Sequence, residues 1–185
     1  WRLPVKASFW ILDIKSKLEG DKAELQLWGI TQEGERILVV ERDFIAYFYS
    51  VPHQSFDANK LAEAIQHTYP ADVVKTEAVK RRYFGKPVDA IKVYCKVAFE
   101  TGKIAKQLSN FEGIADCLED DIRTSMRYLI DNRLVPCGWH EAEVDEEPTP
   151  AGIRAAKSYA AKAPPVPLDR TDVPPLRVLS FSLIC

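Results

Sequence analysis

Residues 73–97 read VVKTEAVKRRYFGKPVDAIKVYCKV, and the predicted fold depends on this segment. Two strand-like runs, Val73–Phe84 and Val88–Val97, flank the turn sequence Gly85-Lys86-Pro87. From position 91 onward, isoleucine, valine and cysteine alternate with lysine and tyrosine. This two-residue period is typical of a strand with one buried face. The segment therefore predicts a β-hairpin.

On each side of the hairpin, the sequence predicts one helix and one further strand. Before it, Phe44–Val51 is an aromatic, strand-like run, and Asp57 can cap a helix that leads into the hairpin. After it, Thr101 begins a second helix and Ile114–Leu118 forms a short closing strand. The order over residues 44–118 is β-α-β-β-α-β, which predicts a ferredoxin-like, or split βαβ, unit.

The segments around this unit differ from it in character. Residues 8–42 contain three strand-like runs separated by charged, glycine-containing turns, and these predict a β-meander. Residues 119–140 predict a helical segment, and residues 141–175 an acidic, proline-rich connector with a short helix at 153–161. Residues 176–185 are an apolar run that predicts a buried strand. The predicted fold class is α+β.

Length and composition limit the classes of protein to consider. The chain has 185 residues, 46% of them hydrophobic, which is enough for a buried core. A net charge of −2 argues against a strongly basic, stand-alone nucleic-acid binder, although a local basic patch is compatible with it. No apolar run has the length of a membrane span. The four cysteines are widely spaced, which predicts reduced thiols in an intracellular protein.

No motif for catalysis is present in the sequence. The phosphate-loop, dinucleotide-binding, zinc-protease and nucleophile-elbow patterns are all missing, and the three histidines are too far apart to share a ligand motif. The run Glu119-Asp120-Asp121 could bind a divalent cation through its oxygens. A helix N-terminus that favours negative charge is the simpler interpretation.

Basic and aromatic residues interleave between positions 47 and 96. The basic residues are Lys75, Lys80, Arg81, Arg82, Lys86, Lys92 and Lys96, and the tyrosines are Tyr47, Tyr49, Tyr83 and Tyr94. Positive charge combined with stacking faces is how proteins hold single-stranded nucleic acid. A solvated outer face with half-buried tyrosines is the alternative interpretation. The βαββαβ order also permits an RNA-recognition module, although the RNP1 pattern of such modules is missing.

Three stretches together resemble the amino-terminal region of family B DNA polymerases of the archaeal and eukaryotic replicative type. They are Arg82–Val88 with Ile91–Tyr94, Glu119–Pro136, and Pro175–Phe181, and they occur in the family's order. Trp10–Asp13 is similar to the family's first strand. The resemblance implies that residues 1–140 form the amino-terminal domain. It also implies that residues 176–185 are the first strand of a truncated exonuclease-like domain.

The resemblance carries no catalytic residue into this chain. In the family, the third stretch leads into the first motif of the proofreading exonuclease, where an aspartate and a glutamate bind two metal ions. The matching residues here are Ser182, Leu183 and Ile184, so both carboxylates are missing. No cofactor is therefore expected in this segment, whereas Mg²⁺ is expected for the parent polymerase.

Archaeal members of the family also sense template uracil in a shallow pocket of this region. By the same alignment, Tyr47, Ile122 and Arg127 stand at pocket-like positions. The chain departs from the archaeal pattern at four positions, which are Ser16, Ala46, Thr101 and Arg123. A pocket that excludes the thymine methyl group depends on its shape. The resemblance therefore favours general contact with a single-stranded template over uracil sensing.

Together these features predict a non-catalytic part of a DNA-directed DNA polymerase that braces the enzyme and contacts single-stranded template DNA. The predicted nucleic-acid-binding residues are Tyr47, Lys80, Arg81, Arg82, Ile122 and Arg127. The other predicted partners are the exonuclease and polymerase domains of the parent chain, without a membrane. The predicted location is cytoplasmic, and nucleoid-associated in an archaeon. A ferredoxin-like RNA-binding module and a purely structural or protein-interaction domain are the alternatives.

Overall fold

The computed structural model describes residues 5–20 and 22–182, and the chain divides into two units. The ring unit comprises the chain up to Lys15, Leu25–Glu41 and the chain from Leu129 onward. The ferredoxin-like unit comprises Ser16–Glu24 and Arg42–Tyr128. None of the helices in the described part of the chain has the length and apolar character that a membrane span requires.

Ten strands and three helices make up the described residues. In chain order they are β1 (Val5–Glu19), β2 (Lys22–Ile30), β3 (Arg36–Glu41), β4 (Tyr47–Pro52), α1 (Ala58–Thr68), β5 (Val73–Tyr83), β6 (Lys86–Cys95), α2 (Thr101–Leu108), β7 (Ile114–Leu118), α3 (Thr124–Asp131), β8 (Trp139–Glu147), β9 (Lys157–Ala161) and β10 (Val166–Pro167). The predicted α+β class is confirmed, as is the meander of β1, β2 and β3.

The ferredoxin-like unit has the predicted β-α-β-β-α-β order. Its four strands form one antiparallel sheet in the order β5-β6-β4-β7, so the two strands of the β4-α1-β5 crossover lie on either side of β6. The hairpin turn at Phe84 and Gly85 has positive φ at both residues, 46° and 78°. Two such residues in a two-residue loop match the right-handed twist of the flanking strands.

Local signals in the sequence explain both helices of this unit. The Asp57 carboxylate accepts hydrogen bonds from the backbone N–H of Asn59 and Lys60, which caps α1 as predicted. The helices bury apolar faces against one side of the sheet, with Ile65 and Ile104 fully enclosed.

Burial raises the pKa of the thiol of Cys95, at the end of β6, to about 12, so this cysteine is a packing residue.

The ring unit is closed by its last long strand. β8 pairs with β9 on one edge and with β1 on the other, so β1, β2, β3, β9 and β8 form a continuous ring. Closure leaves these strands without the free backbone groups of an open sheet edge. Phe9, Leu25, Leu27 and Val144 are fully buried within the unit.

The acidic residues from 141 to 147, predicted to lie in a connector, belong to β8. The strand buries Ala142 and Val144 and exposes Glu143 and Asp145, so apolar and acidic side chains alternate across its two faces. Net acidity concealed this two-residue period in the sequence. The strand is retained because its backbone pairs with β1 and its inward side chains join the core.

Within the same segment, the helix predicted at 153–161 is wrong. β9 runs parallel to β3 instead, with Lys157 opposite Ile37 and Tyr159 opposite Val39. Further along, the Trp139 indole nitrogen donates a 2.7 Å hydrogen bond to the carbonyl oxygen of Asp172. The Arg170 guanidinium lies 3.9 Å from the centre of the Trp139 ring. These contacts order the proline-rich residues without a helix.

Residues 176–182, the described part of the predicted last strand, do not form a strand. A strand is held by hydrogen bonds to a neighbouring strand, and within the described chain these residues pair with none. Val178, Leu179 and Phe181 are 87%, 84% and 80% exposed. The remaining residues of that prediction, Leu183, Ile184 and Cys185, lie outside the described residues.

Gly113 provides a test of the packing between α1 and the strand β7. Its φ is +91°, and an added Cβ would lie 2.6 Å from Phe56 Cδ1 and 3.0 Å from Leu61 Cδ2. Gly113→Ala should lower the free energy of unfolding by about 2–4 kcal/mol, because left-handed strain and overpacking add. Urea denaturation measures this loss.

Gly85→Ala in the same unit is the matched control for Gly113→Ala. Gly85 also has a positive φ, +78°, but nothing lies within 4 Å of the added Cβ. Strain alone predicts a loss of about 1–2 kcal/mol. Equal losses for the two variants would contradict the steric argument for Gly113.

Candidate nucleic-acid interface

The register of the sheet decides which side chains of the ferredoxin-like unit share a face. Thr76 Oγ1 donates a 2.8 Å hydrogen bond to the carbonyl oxygen of Ala62 in α1, so Thr76 lies on the helix-covered side. Successive strand residues point to opposite faces, and residues directly opposite across a pair share one. The face away from the helices, here called the open face, therefore carries Lys75, Glu77, Val79, Arg81, Tyr83, Lys86, Val88, Ala90, Lys92, Tyr94, Tyr47, Tyr49, Val51, Asp116 and Leu118.

Cations and tyrosine rings alternate along the open face. Lys75 Nζ lies 4.3 Å from the centre of the Tyr94 ring, and Lys92 Nζ lies 4.7 Å from that ring and 3.6 Å from the ring of Tyr47. The guanidinium of Arg127, a residue of α3, lies 4.5 Å from the centre of the Tyr47 ring. These five residues are called the cation–tyrosine row below. Each contact contributes about 0.5–1 kcal/mol at an exposed site, which is enough to orient a lysine.

One carboxylate lies beside the row. Lys75 Nζ is 2.7 Å from Glu77 Oε1, and the Tyr94 hydroxyl donates a 3.1 Å hydrogen bond to Glu77 Oε2. The hydrogen bond from Lys75 is the largest cause of the lowered pKa of Glu77, and the hydrogen bond from Tyr94 is the second. The hydrogen bond to Glu77 also raises the pKa of Lys75. Both groups are therefore charged at neutral pH. Lys92, directly opposite Glu77, also lowers the pKa of that carboxyl through its charge, but it forms no ion pair within 4 Å among the described residues.

Arg127 is the most enclosed cation of the row. Its side chain is 6% exposed, and Nη1 lies 2.7 Å from Glu119 Oε2 and 3.5 Å from the Tyr47 hydroxyl. Nη2 donates to the carbonyl oxygen of Glu119, whose φ is +62°. The acidic run at 119–121 does not supply charge to a helix N-terminus, because the first turn of α3 contains no acidic residue. Glu119 instead holds the arginine that lies over Tyr47.

The predicted binding residues divide among several places. Tyr47 and Arg127 meet in the row, and both are largely buried. Arg81 is on the open face, where Nε and Nη2 donate 3.1 and 3.0 Å hydrogen bonds to the Tyr49 hydroxyl. Lys80 alternates with Arg81 and lies on the opposite face, paired with Asp89 at 3.1 Å.

Arg82 and Ile122 also lie apart from the row. Arg82 is exposed on the same face as Lys80, and Ile122 is half-buried just before α3. The predicted set left out Lys75, Lys92 and Tyr94, which carry most of the row. Their alternation in β5 and β6 was the available signal, because it placed them on the face of Tyr47.

Two of the four departures from the archaeal pattern have a structural account. Ala46 packs with Ala23 and Ala98, and these small side chains line a recess of about 360 Å³ beside Phe44 and Cys95. Thr101, at the start of α2, donates a 2.9 Å hydrogen bond from Oγ1 to the carbonyl oxygen of Asp120.

Across the described residues, no group of three or more His, Cys, Asp or Glu side chains could hold a metal ion.

The buried contacts of Arg127 lead to a stability prediction. Arg127→Ala should lower the free energy of unfolding by about 2–3 kcal/mol, because Tyr47 loses its packing partner and Glu119 loses its counter-charge. The loss is smaller than for a fully buried pair, since Glu119 is 45% exposed and can be rehydrated. Chemical denaturation followed by circular dichroism measures it.

Arg123→Ala removes the same charge from an exposed site one turn earlier and serves as the control for Arg127→Ala. This variant should lose less than about 0.5 kcal/mol. If the two variants were equally stable, the buried contacts of Arg127 would contribute nothing to the free energy of unfolding.

Comparisons with known proteins place the chain among DNA polymerases, although no protein-family model matches it. It is 32% identical over 154 residues to "DNA polymerase 2" of Aeropyrum pernix, a match that covers 82% of this chain and 19% of the relative. It is 35% identical over 151 residues to "DNA polymerase 3" of Saccharolobus shibatae, with the same two coverages, 82% and 19%.

A solved structure gives the same result. The family B DNA polymerase of Pyrobaculum calidifontis matches with a TM-score of 0.76 and 30% identity, over 92% of this chain and 21% of that chain. The chain thus spans about a fifth of the length of each of these three proteins. It belongs to the family B DNA polymerases, whose amino-terminal region it matches in sequence and fold.

Proposed function

We propose that this chain is the non-catalytic amino-terminal part of a DNA-directed DNA polymerase and contacts single-stranded template DNA through the open face. The observation that carries the proposal is the cation–tyrosine row, in which Lys75 and Lys92 are held on tyrosine rings. An ammonium group oriented in this way loses less side-chain entropy when it binds a phosphate.

The row favours contact with the DNA backbone over stacking of bases on the central tyrosines. Tyr47 and Tyr49 are only 6% and 9% exposed, and cations cover their rings. Phosphate contacts position a strand without reading its sequence, which suits a template of any sequence. The net charge of −2 is compatible with this role because a local group of cations is enough. Lys75, Arg81, Lys86 and Lys92 share the open face with the carboxylates of Glu77 and Asp116.

The remaining parts of the proposal concern the parent protein. The proposal assigns nucleotidyl transfer and its Mg²⁺ to other segments of an intracellular polymerase, and it assigns no described residue of this chain to either. The ring unit contains none of the row. Its proposed role is therefore to brace the exonuclease and polymerase domains of the parent chain.

An RNA-binding module is a second candidate because of where the tyrosines lie. Tyr47, Tyr49 and Tyr94 are on β4 and β6, the two central strands of a ferredoxin-like sheet. RNA-recognition modules place their stacking aromatics on the same two strands. Comparison of DNA with RNA of the same sequence separates the two candidates.

Salt dependence tests the proposed backbone contact. Fluorescence anisotropy of the full chain with a labelled single-stranded oligonucleotide should show an affinity that falls as salt rises. In the double variant Lys75→Gln/Lys92→Gln, affinity should fall and the magnitude of the slope of log K against log salt should decrease by about 1.4, which is about 0.7 for each lysine on a single strand.

Lys6→Gln/Lys17→Gln is the matched control, because it removes two exposed, ion-paired lysines elsewhere in the chain. It should bind like the parent protein. Salt-insensitive or undetectable binding by the parent protein would refute the proposal. Tighter binding to RNA than to DNA would transfer it to the RNA-binding candidate.

A further inference from the structure

A small recess lies on the open face beside the cation–tyrosine row. It has a volume of about 230 Å³ and is lined by Tyr49, Val51, Arg81, Arg82, Tyr83, Val88, Ala90, Leu118 and Glu119. It exists because β6 carries small side chains, Ala90 and Val88, between the long residues of its neighbours. Drug-sized ligands occupy pockets of about 300–1,000 Å³, so this recess suits a smaller group.

The floor and walls of the recess differ in chemistry. Val51, Val88, Ala90 and Leu118 provide an apolar floor. One wall is the Arg81 guanidinium, whose plane is held by two hydrogen bonds to the Tyr49 hydroxyl. The arrangement sets a flat cation, a surface on which nucleobases stack in single-strand sites, beside an apolar floor.

The hairpin turn adds exposed aromatic rings to the same side. Tyr83 is 39% exposed, and the Phe84 ring lies 4.6 Å from it with 88% exposure. Phe84 has a φ of 46°, a left-handed conformation that costs roughly 1–2 kcal/mol in a residue with a side chain. The two-residue hairpin turn requires that conformation. The exposed Phe84 ring is therefore available to a ligand with flat rings.

Cations lie at both ends of the recess. Toward the turn, Lys86 is directly opposite Tyr83 and has no carboxylate at ion-pair distance in the described part of the chain. Toward the row, Lys92 lies next in register beyond Ala90 on the open face. A strand with one base in the recess would therefore have phosphates near a lysine on either side.

From this geometry we infer that the recess binds one unstacked nucleobase of single-stranded DNA, with Tyr83 and Arg81 as its stacking surfaces. The inference rests on the proposed function, because it places a base next to the backbone contacts of the row. It adds a site that depends on the base itself. The row alone would hold any strand with the same phosphates.

The test compares two labelled strands of equal length and charge, oligothymidylate and the same backbone with only abasic sites. The full chain should bind oligothymidylate about tenfold more tightly, since one stacked base contributes that much. Val88→Trp, which fills the recess, should remove this difference. Val166→Trp, the same change at an exposed site of the ring unit, should keep the difference.

Tyr83→Ala is a second variant, chosen because the exposed side chain can be removed without loss of the core. It should reduce the preference for oligothymidylate severalfold, with circular dichroism confirming that the fold is intact. Equal binding of the two strands by the parent protein would overturn the recess and leave the proposed function standing. Absence of binding to either strand would overturn both.

Discussion

The antiparallel register of β5 on β6 is the constraint on which the candidate interface depends. It sets Lys75 opposite Tyr94 and Glu77 opposite Lys92, so four polar side chains meet on one face. A slip of one residue would turn the whole set toward the helices. The two-residue turn at Phe84 and Gly85 prevents that slip, because its left-handed residues accept only one register.

Burial divides the cations of this face by role. Lys75 and Lys92 rest on tyrosine rings with their ammonium groups near the surface, whereas the guanidinium of Arg127 is enclosed by Tyr47 and Glu119. Enclosure makes Arg127 a positioning residue, since a group already satisfied by a carboxylate has less to gain from a phosphate. The lysines remain the groups that a DNA backbone could reach first.

The ring unit shows how pairing can stabilise a strand whose composition is unfavourable. β8 carries acidic residues on its outer side, and one of them, Glu141, forms a 2.7 Å ion pair with Lys6 of β1. The inward residues of β8 complete a core that β1, β2 and β3 begin. Surface charge is compatible with strand structure here because the backbone of β8 pairs with β1, β9 and β10 and because Ala142 and Val144 are buried in the core.

Local chemistry in the sequence determined the ferredoxin-like unit, through the alternation in 91–97, the cap at Asp57 and the turn at Gly85. These signals involve neighbours in the chain, so periodicity alone reveals them. Only tertiary structure decided that Arg127 lies on Tyr47, 80 residues away, and that 141–147 is a strand. It also decided that small residues of β6 leave a recess beside Arg81. Burial and strand closure depend on distant partners, which no local pattern specifies.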